Sequence, residues 1–298
     1  MGKINENTTS VKRFHCYCFT LLIVVLLVSA PLSQAQSSRF AAAYYNRGNE
    51  RFSKGDLDGA IADYDAAIIF DSRWARAYNM RGTARYKKGD LEGSIADFTK
   101  AIEIDPRLAW AYYNRGKARR DKEDLEGSIA DYTTAIKINP RLSAAYNNRG
   151  NIRRELGNLD AAMEDLEKAI RLEPRNAAYY NNRGLTRRNR GDLRGAIADY
   201  NRAIEIDPTL PDAYSNRGNA RLDMGDLDNS MADYDLAISI NPSFAQAYGN
   251  RGLVRLTKGD LVGAQKDFDQ CLKLEPRLRS LLQQQIEAVK RRHLNTNQ

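Results

Sequence analysis

An all-α array of antiparallel helix pairs is the architecture the sequence predicts, and three observations predict it. A glycine recurs at 48, 82, 116, 150, 184, 218 and 252, every step 34 residues, within Asn-Arg-Gly or a one-letter variant of it. Each unit holds two proline-free stretches of helix length, parted by Gly-Asp-Leu or a close variant. A proline stands near the end of six units, at 106, 140, 174, 208, 242 and 276, with Ser72 in its place in the first. A fixed period of this size marks a repeat array in which each unit is one supersecondary element that buries its apolar face only against its neighbours. The 298 residues therefore read as one elongated domain rather than two globular ones.

The first element in the chain is an export signal. Lys3, Lys12 and Arg13 make a positive n-region, and Phe19 to Val28 is a nearly unbroken apolar run. Ser33-Gln34-Ala35 then places a small residue at both positions a signal peptidase inspects, which predicts cleavage after Ala35. Ala30 is a poorer site because Pro31 follows it. The alternative fate is an uncleaved N-terminal membrane anchor over Phe14 to Leu32, a window just long enough to cross a bilayer. No cysteine stands at the cleavage point, so a bacterial lipoprotein is not suggested. The location expected is periplasmic or secreted, with no membrane span after cleavage. Loss of residues 1–35 removes three positive charges and one negative, taking the net charge from +8 to +6. It also leaves Cys271 as the one cysteine and His293 as the one histidine, so no intramolecular disulfide can form.

After a lead-in at 36–40 the seven units run 41–74, 75–108, 109–142, 143–176, 177–210, 211–244 and 245–278. With positions numbered 1 to 34 inside a unit, position 4 is always tyrosine, from Tyr44 to Tyr248, and position 8 always glycine. Positions 1 to 14 form the first helix. Position 15, glycine in every unit but the third (Glu123), is suited to the left-handed conformation that ends it. Position 16, aspartate in every unit but the fourth (Asn158), is suited to N-cap the second helix. Within that helix Leu57, Ile61, Tyr64 and Ile68 trace one apolar stripe, with Ala60 and Ala67 beside it. Beyond the last unit, Leu282, Ile286 and Val289 give residues 279–293 the single apolar face of a capping helix, which an array needs to cover its final repeat. Residues 294–298 read as a frayed tail.

The aromatic at 4, glycine at 8, small residues at 20 and 27, aromatic at 24 and proline at 32 closely resemble the tetratricopeptide repeat family. Ala60, Tyr64 and Ala67 carry the match in the first unit, and Phe98, Tyr132, Tyr200, Tyr234 and Phe268 carry position 24 in others, with Leu166 the weak one. The resemblance covers residues 41–278. It implies an α-solenoid, a right-handed superhelix of helix-turn-helix repeats whose first helices line a concave groove.

One departure from the family is systematic. Positions 7 and 11, where the family favours an apolar and an aromatic residue, are arginine in all seven units, from Arg47 and Arg51 to Arg251 and Arg255. They lie on the inward stripe of the first helix, and position 23 supplies an aspartate in every unit, from Asp63 to Asp267. An unpaired buried charge costs several kcal/mol, so internal ion pairing between the two helices is one reading. A cationic ladder for a polyanion is the other.

The resemblance places groove-lining residues at positions 2, 5, 9, 12 and 13, where the seven units differ most. The candidate ligand residues there are Tyr45, Phe52, Tyr86, Trp110 and Tyr113, then Lys117, Arg120, Arg154 and Arg188, followed by Leu185, Leu222, Leu253 and Leu256. Arg120, Arg154 and Arg188 share position 12 in consecutive units. Such a series suits a peptide with apolar anchors around acidic residues, because Tyr, Trp and Arg dominate binding energy at interfaces. Packing between neighbouring first helices is the plainer role open to each of them. The carboxylate clamp known in the family is not matched, since position 5 is never lysine.

Function classes follow from the same residues. One histidine near the C-terminus supports neither a Ser/His/Asp or Cys/His arrangement nor a zinc site, so no catalytic residue, metal site or cofactor is expected. The acids recur at cap or ion-pair positions rather than as a singular catalytic pair. The function expected is a non-catalytic scaffold for a protein or peptide. Nucleic acid is disfavoured by export, though an anionic envelope polymer along the basic centre is the alternative. Oligomeric state is left open.

Overall fold

Gly-Asp-Leu does at each hairpin what its chemistry predicts. At the end of the first helix Gly55 turns to φ 82°, and the next amide, that of Asp56, donates back to the Arg51 carbonyl at 3.0 Å. This is the Schellman closure that only a left-handed residue permits. The Asp56 carboxylate then accepts the Gly59 N–H at 2.9 Å and caps the second helix. The same cap forms at Asp90, Asp124, Asp192, Asp226 and Asp260. Asn158 makes no such bond. Glu123 takes the glycine conformation without being glycine, at φ 64°.

The protein is represented by a computed structural model, which describes residues 33–296, with side chains to Arg291. The residues read as n-region and apolar run lie outside the described residues, as do 297 and 298. Among the described residues every regular element is helical, and none is long and apolar enough to cross a membrane.

The chain divides into two compact units, residues to Pro106 and residues from Arg107. The first unit comprises α1 (Gln34–Ser53), α2 (Leu57–Phe70), α3 (Ala75–Lys87) and α4 (Leu91–Ile104). Helix α1 starts well ahead of the first repeat: Ser33 accepts the Gln36 N–H while the Gln36 side chain accepts the Ser33 N–H, a capping box. Residues 36–40 are thus helical, and the expected cleavage point after Ala35 falls inside α1.

The second unit runs α5 (Ala109–Asp121), α6 (Leu125–Ile138), α7 (Ser143–Glu155), α8 (Leu159–Leu172), α9 (Ala177–Asn189), α10 (Leu193–Ile206), α11 (Pro211–Asp223), α12 (Leu227–Ile240), α13 (Ala245–Thr257) and α14 (Leu261–Leu274). A short 3₁₀ turn at Pro276–Leu278 leads to α15 (Arg279–Thr296). Within each unit the chain is a stack of helical hairpins, each first helix packed on its own second helix and each second helix on the next first helix.

The core is thin and periodic. Ala60, Tyr64, Ala67 and their counterparts in later repeats are buried, and each position-24 ring lies flat against the position-8 glycine of its hairpin partner. A Cβ on Gly184 would stand 2.6 Å from the Tyr200 ring, and one on Gly252 only 2.5 Å from Phe268. Helix separation is therefore set by glycine. At the end of the stack α15 turns Leu282 inward against Leu253, Leu256, Phe268 and Cys271, with Ile286 and Val289 alongside.

Candidate ligand groove

Every repeat contains one polar quartet, and it uses up the recurrent arginines. In the third repeat Arg115 grips Asp131 through both Nε and Nη2, at 2.9 and 2.7 Å, while Arg119 Nη1 reaches the same carboxylate at 2.9 Å and the Gly127 carbonyl at 3.3 Å. The Arg115 guanidinium also lies over the Tyr112 ring, 5.7 Å from its centroid. The position-23 carboxylates are all buried, and each takes its position-7 arginine in this way. Position 11 follows in every repeat, at 2.7 to 2.9 Å except for the looser 3.4 Å of Arg51 and Asp63. Planar forks of donors suit this double grip, which ties the first helix to the second. Some position-7 arginines reach back a repeat as well, Arg81 to Asp65 at 2.5 Å and Arg251 to Asp235 at 2.6 Å. The internal pairing reading holds for the seven repeats, with the pairs largely covered from the second repeat on, whereas Arg47 and Arg51 of the first stay open to solvent on one side.

The variable positions are placed by the first helices. In the first unit Tyr45 is half-buried, its ring 4.6 Å from that of Trp74 and 5.8 Å from that of Tyr64, so much of its surface is spent on packing. Phe52 is half-buried with the Lys87 ammonium 4.8 Å above its ring, and Tyr86 is half-buried on α3. In the second unit Trp110 is 51 % exposed and meets Tyr113 edge to face at 5.5 Å. Tyr113 packs on Tyr132, and its hydroxyl accepts from Asn148 at 3.3 Å. Lys117 is half-buried on the same helix.

The position-12 arginines form a row across α5, α7 and α9. Arg120 donates to Glu155 at 3.0 Å and Arg188 to Asp223 at 2.6 Å, in each case an acid at position 13 of the following repeat. Burial pulls the Arg188 guanidinium down, but its hydrogen bond to Asp223 and that charge outweigh the effect, so it is held above its ordinary value. Arg154 meets Glu155 only at 3.9 Å. The basic centre is thus interleaved with acids, a feature visible in the sequence only as a 35-residue offset between position 12 and the next position 13. Leu185 and Leu222 are half-buried at the groove, whereas Leu253 and Leu256 are core, because α15 covers them.

Two further features were not read from the sequence. Asparagines at position 5 and position 6 link successive first helices, Asn182 donating to Asn147 at 2.8 Å and Asn216 to Asn181 at 3.0 Å. A cleft of about 310 Å³ opens beside α15, lined by Ser215, Asn219, Gly249, Cys271 and Leu282 among others. Among the described residues no group of three or more His, Cys, Asp or Glu is placed to hold a metal ion.

Family models described as TPR repeat match residues 48–89, 82–119, 116–153, 150–187 and 184–225, and models described as tetratricopeptide repeat match 211–244 and 245–278. The chain belongs to the tetratricopeptide repeat family. As a member it is a protein-interaction scaffold. A tetratricopeptide repeat protein from Parabacteroides merdae is similar in structure, at 19% identity and TM-score 0.69, over 85% of this chain and 99% of that one. A chain of the APC/C hetero-tetramer Cut9-Hcn1 aligns at 16% identity and TM-score 0.70, over 86% of this chain and 52% of that one. YrrB, described as a TPR protein with an unusual peptide-binding site, aligns at 23% identity and TM-score 0.51, over 62% of this chain and 95% of that one. At these identities the likenesses speak for the tetratricopeptide fold alone. No curated protein matches the chain significantly.

Proposed function

We propose that the protein is a non-catalytic, exported scaffold that binds an extended peptide or protein segment along the first-helix face of its repeats. The observation that carries this reading is a division of labour. The invariant residues satisfy one another inside each hairpin, whereas the residues that vary, from Trp110 to Arg188 in the second unit, share the face left over. Exposed Trp110 supplies an aromatic anchor of the kind that dominates interface energies. Because acids alternate with the arginines, the face suits a mixed apolar and acidic segment better than a uniform polyanion.

Panning the protein against a random peptide display library tests the reading. Apolar sequences carrying acids are expected to be enriched, to be lost when Trp110 and Arg188 are both replaced by Ala, and to survive Ile69→Ala and Val262→Ala, which alter exposed apolar side chains on second helices. Enrichment unchanged by the Trp110 and Arg188 replacements would move the ligand off this face. Steep loss of binding with salt, together with preference for uniformly acidic ligands, would return the polyanion to favour. Export is tested by the mass of the protein recovered outside the cytoplasm, expected to begin at Gln36.

A further inference from the structure

The size of the residue at position 5 decides how open the first-helix face is. That residue is Tyr45, Asn79, Tyr113, Asn147 and Asn181 in the first five repeats, but Ser215 and Gly249 in the last two. The cleft of about 310 Å³ stands where these two small residues meet α15. A Cβ on Gly249 would already lie 3.3 Å from Cys271 Sγ and 3.8 Å from Leu282 Cδ1, so the larger side chains of other repeats would take up this space. Asp212 and Gln246, at position 2, and Asn219, at position 9, also line the cleft, which is therefore continuous with the groove face described above.

Part of the lining is apolar, from Phe244, Leu278, Leu281 and Leu282, and Leu281 is 53 % exposed. The rest is amides whose N–H groups are spent on the fold. Asn216 donates to Asn181 at 3.0 Å, Asn250 to Asn219 at 3.0 Å and Gln246 to the Glu275 carboxylate at 3.3 Å. A carboxylate only accepts, so Gln246 must turn its NH2 that way and keep its oxygen for another donor. Asn219 Oδ1 fixes the Asn250 amide in the same sense, since it also accepts the Tyr234 hydroxyl at 2.7 Å. Asp212, exposed in the first turn of α11, adds a negative charge, and the lining includes no lysine or arginine. Ser215 is 3 % exposed, and no hydrogen bond of the fold engages its hydroxyl. Unpartnered polar atoms occur elsewhere, at Asn151 Oδ1, Arg154 Nε and the Tyr200 hydroxyl, but those are sealed from solvent, whereas Ser215 borders an opening. The cleft is thus rich in acceptors and short of cations.

We propose that this cleft receives one Arg or Lys side chain of the bound segment, an inference that rests on the groove reading above. The aliphatic stem lies along Leu281 and Leu282, as long basic side chains do on apolar surface. Its head reaches the Asp212 carboxylate and the amide oxygens of the lining, and a charged donor makes the stronger kind of hydrogen bond with each. A purely apolar side chain would cover the leucines but leave the acceptors desolvated and unpaired, which counts against it. With acids of the segment meeting the arginines of α7 and α9, and one cation meeting α11, the segment has a single direction along the second unit.

The test pans a random peptide display library on the protein and on Asp212→Lys. One recovered peptide is then compared with a copy carrying citrulline or norleucine in place of its Arg or Lys. Basic residues at a fixed spacing from the acids are expected to be enriched on the protein and depleted on Asp212→Lys, while acids and apolar anchors persist on both. The uncharged copy is expected to bind the protein about tenfold more weakly, the range of one charge-assisted contact, and to lose nothing on Asp212→Lys. Gly249→Asn, which puts into the cleft the side chain three other repeats carry at position 5, is expected to remove the basic preference too. Asp212 is exposed, so Asp212→Lys is expected to keep the Tm of the protein and to carry the test even where Gly249→Asn does not fold. Basic enrichment that Asp212→Lys leaves intact, or its absence among acidic and apolar peptides that do bind, overturns the cleft assignment and leaves the groove reading standing. Enrichment of no peptide overturns both. A dimer in sedimentation that Gly249→Asn dissociates would give the cleft to a second copy of the chain and overturn the assignment as well.

Discussion

Asp131 shows how a single residue can carry a repeat. Its carboxylate is buried, and two arginines from the facing helix converge on it, Arg115 with a double hydrogen bond and Arg119 with a third. Asp131→Ala leaves both guanidiniums without their acceptor in a partly buried setting, and it is expected to lower stability by about 3 kcal/mol, read from denaturant unfolding. A loss below about 1 kcal/mol would place the pair among ordinary surface ion pairs instead. That such pairs exist was legible in the sequence, because an acid at position 23 accompanies the two arginines in every unit. The position-12 arginines are different. Nothing in the type of residue separates Arg154 from Arg120 or Arg188, and only the side chains opposite them do.

At the level of the helical hairpin, the turn at position 15 obeys backbone sterics so closely that the exception conforms to it. Glu123 adopts φ 64° because the Schellman bonds on either side require it: its own amide donates to Arg120 and that of Asp124 to Arg119. A left-handed non-glycine residue costs roughly 1 kcal/mol, so Glu123→Gly is expected to raise stability by about that amount, measured as a higher denaturant midpoint with an unchanged slope. The other hairpin irregularity, Asn158, keeps the turn but loses the cap, and Ala161 stands where five repeats offer a glycine N–H, and the sixth that of Asn229, to the capping aspartate. The capping helix α15 was predicted from the spacing of Leu282, Ile286 and Val289, and all three pack on the last hairpin. Its effect on the groove was not predicted: the same packing that seals the core withdraws Leu253 and Leu256 from the ligand face. Deleting the chain from Arg279 is expected to expose Cys271, now buried and with its thiol pushed up by desolvation, so that a thiol reagent inert toward the full chain labels the truncated one. Equal labelling of both would show that α15 contributes nothing to that core.

Across the whole molecule the recurring tyrosines predict how stability responds to alkali. Burial pushes the hydroxyls of Tyr64, Tyr132, Tyr200 and Tyr234 above their ordinary value. An unfolded chain releases those protons near pH 10 while the folded chain holds them, so above that pH the unfolded state binds fewer protons and stability falls as pH rises. Below it the contribution is fully present. Tm is expected to be flat across neutral pH with respect to these groups and to decline above about pH 10, with the last tyrosinate absorbance appearing only as the helices melt. The sequence by itself determined the repeat length, the hairpins and the cap, because each of these is written locally and then repeated, so that regularity declares it, whereas it offered internal ion pairs as one of two readings that the packed helices then decided. Which polar groups are left unsatisfied was decided only by tertiary structure. The positions that would partner Asn151, Arg154 and Tyr200, occupied by Leu166, Asn189 and Leu185, lie on other helices, and whether a hydrogen bond forms depends on which side chain stands within about 3 Å across the gap, a fact of packing that no single segment contains.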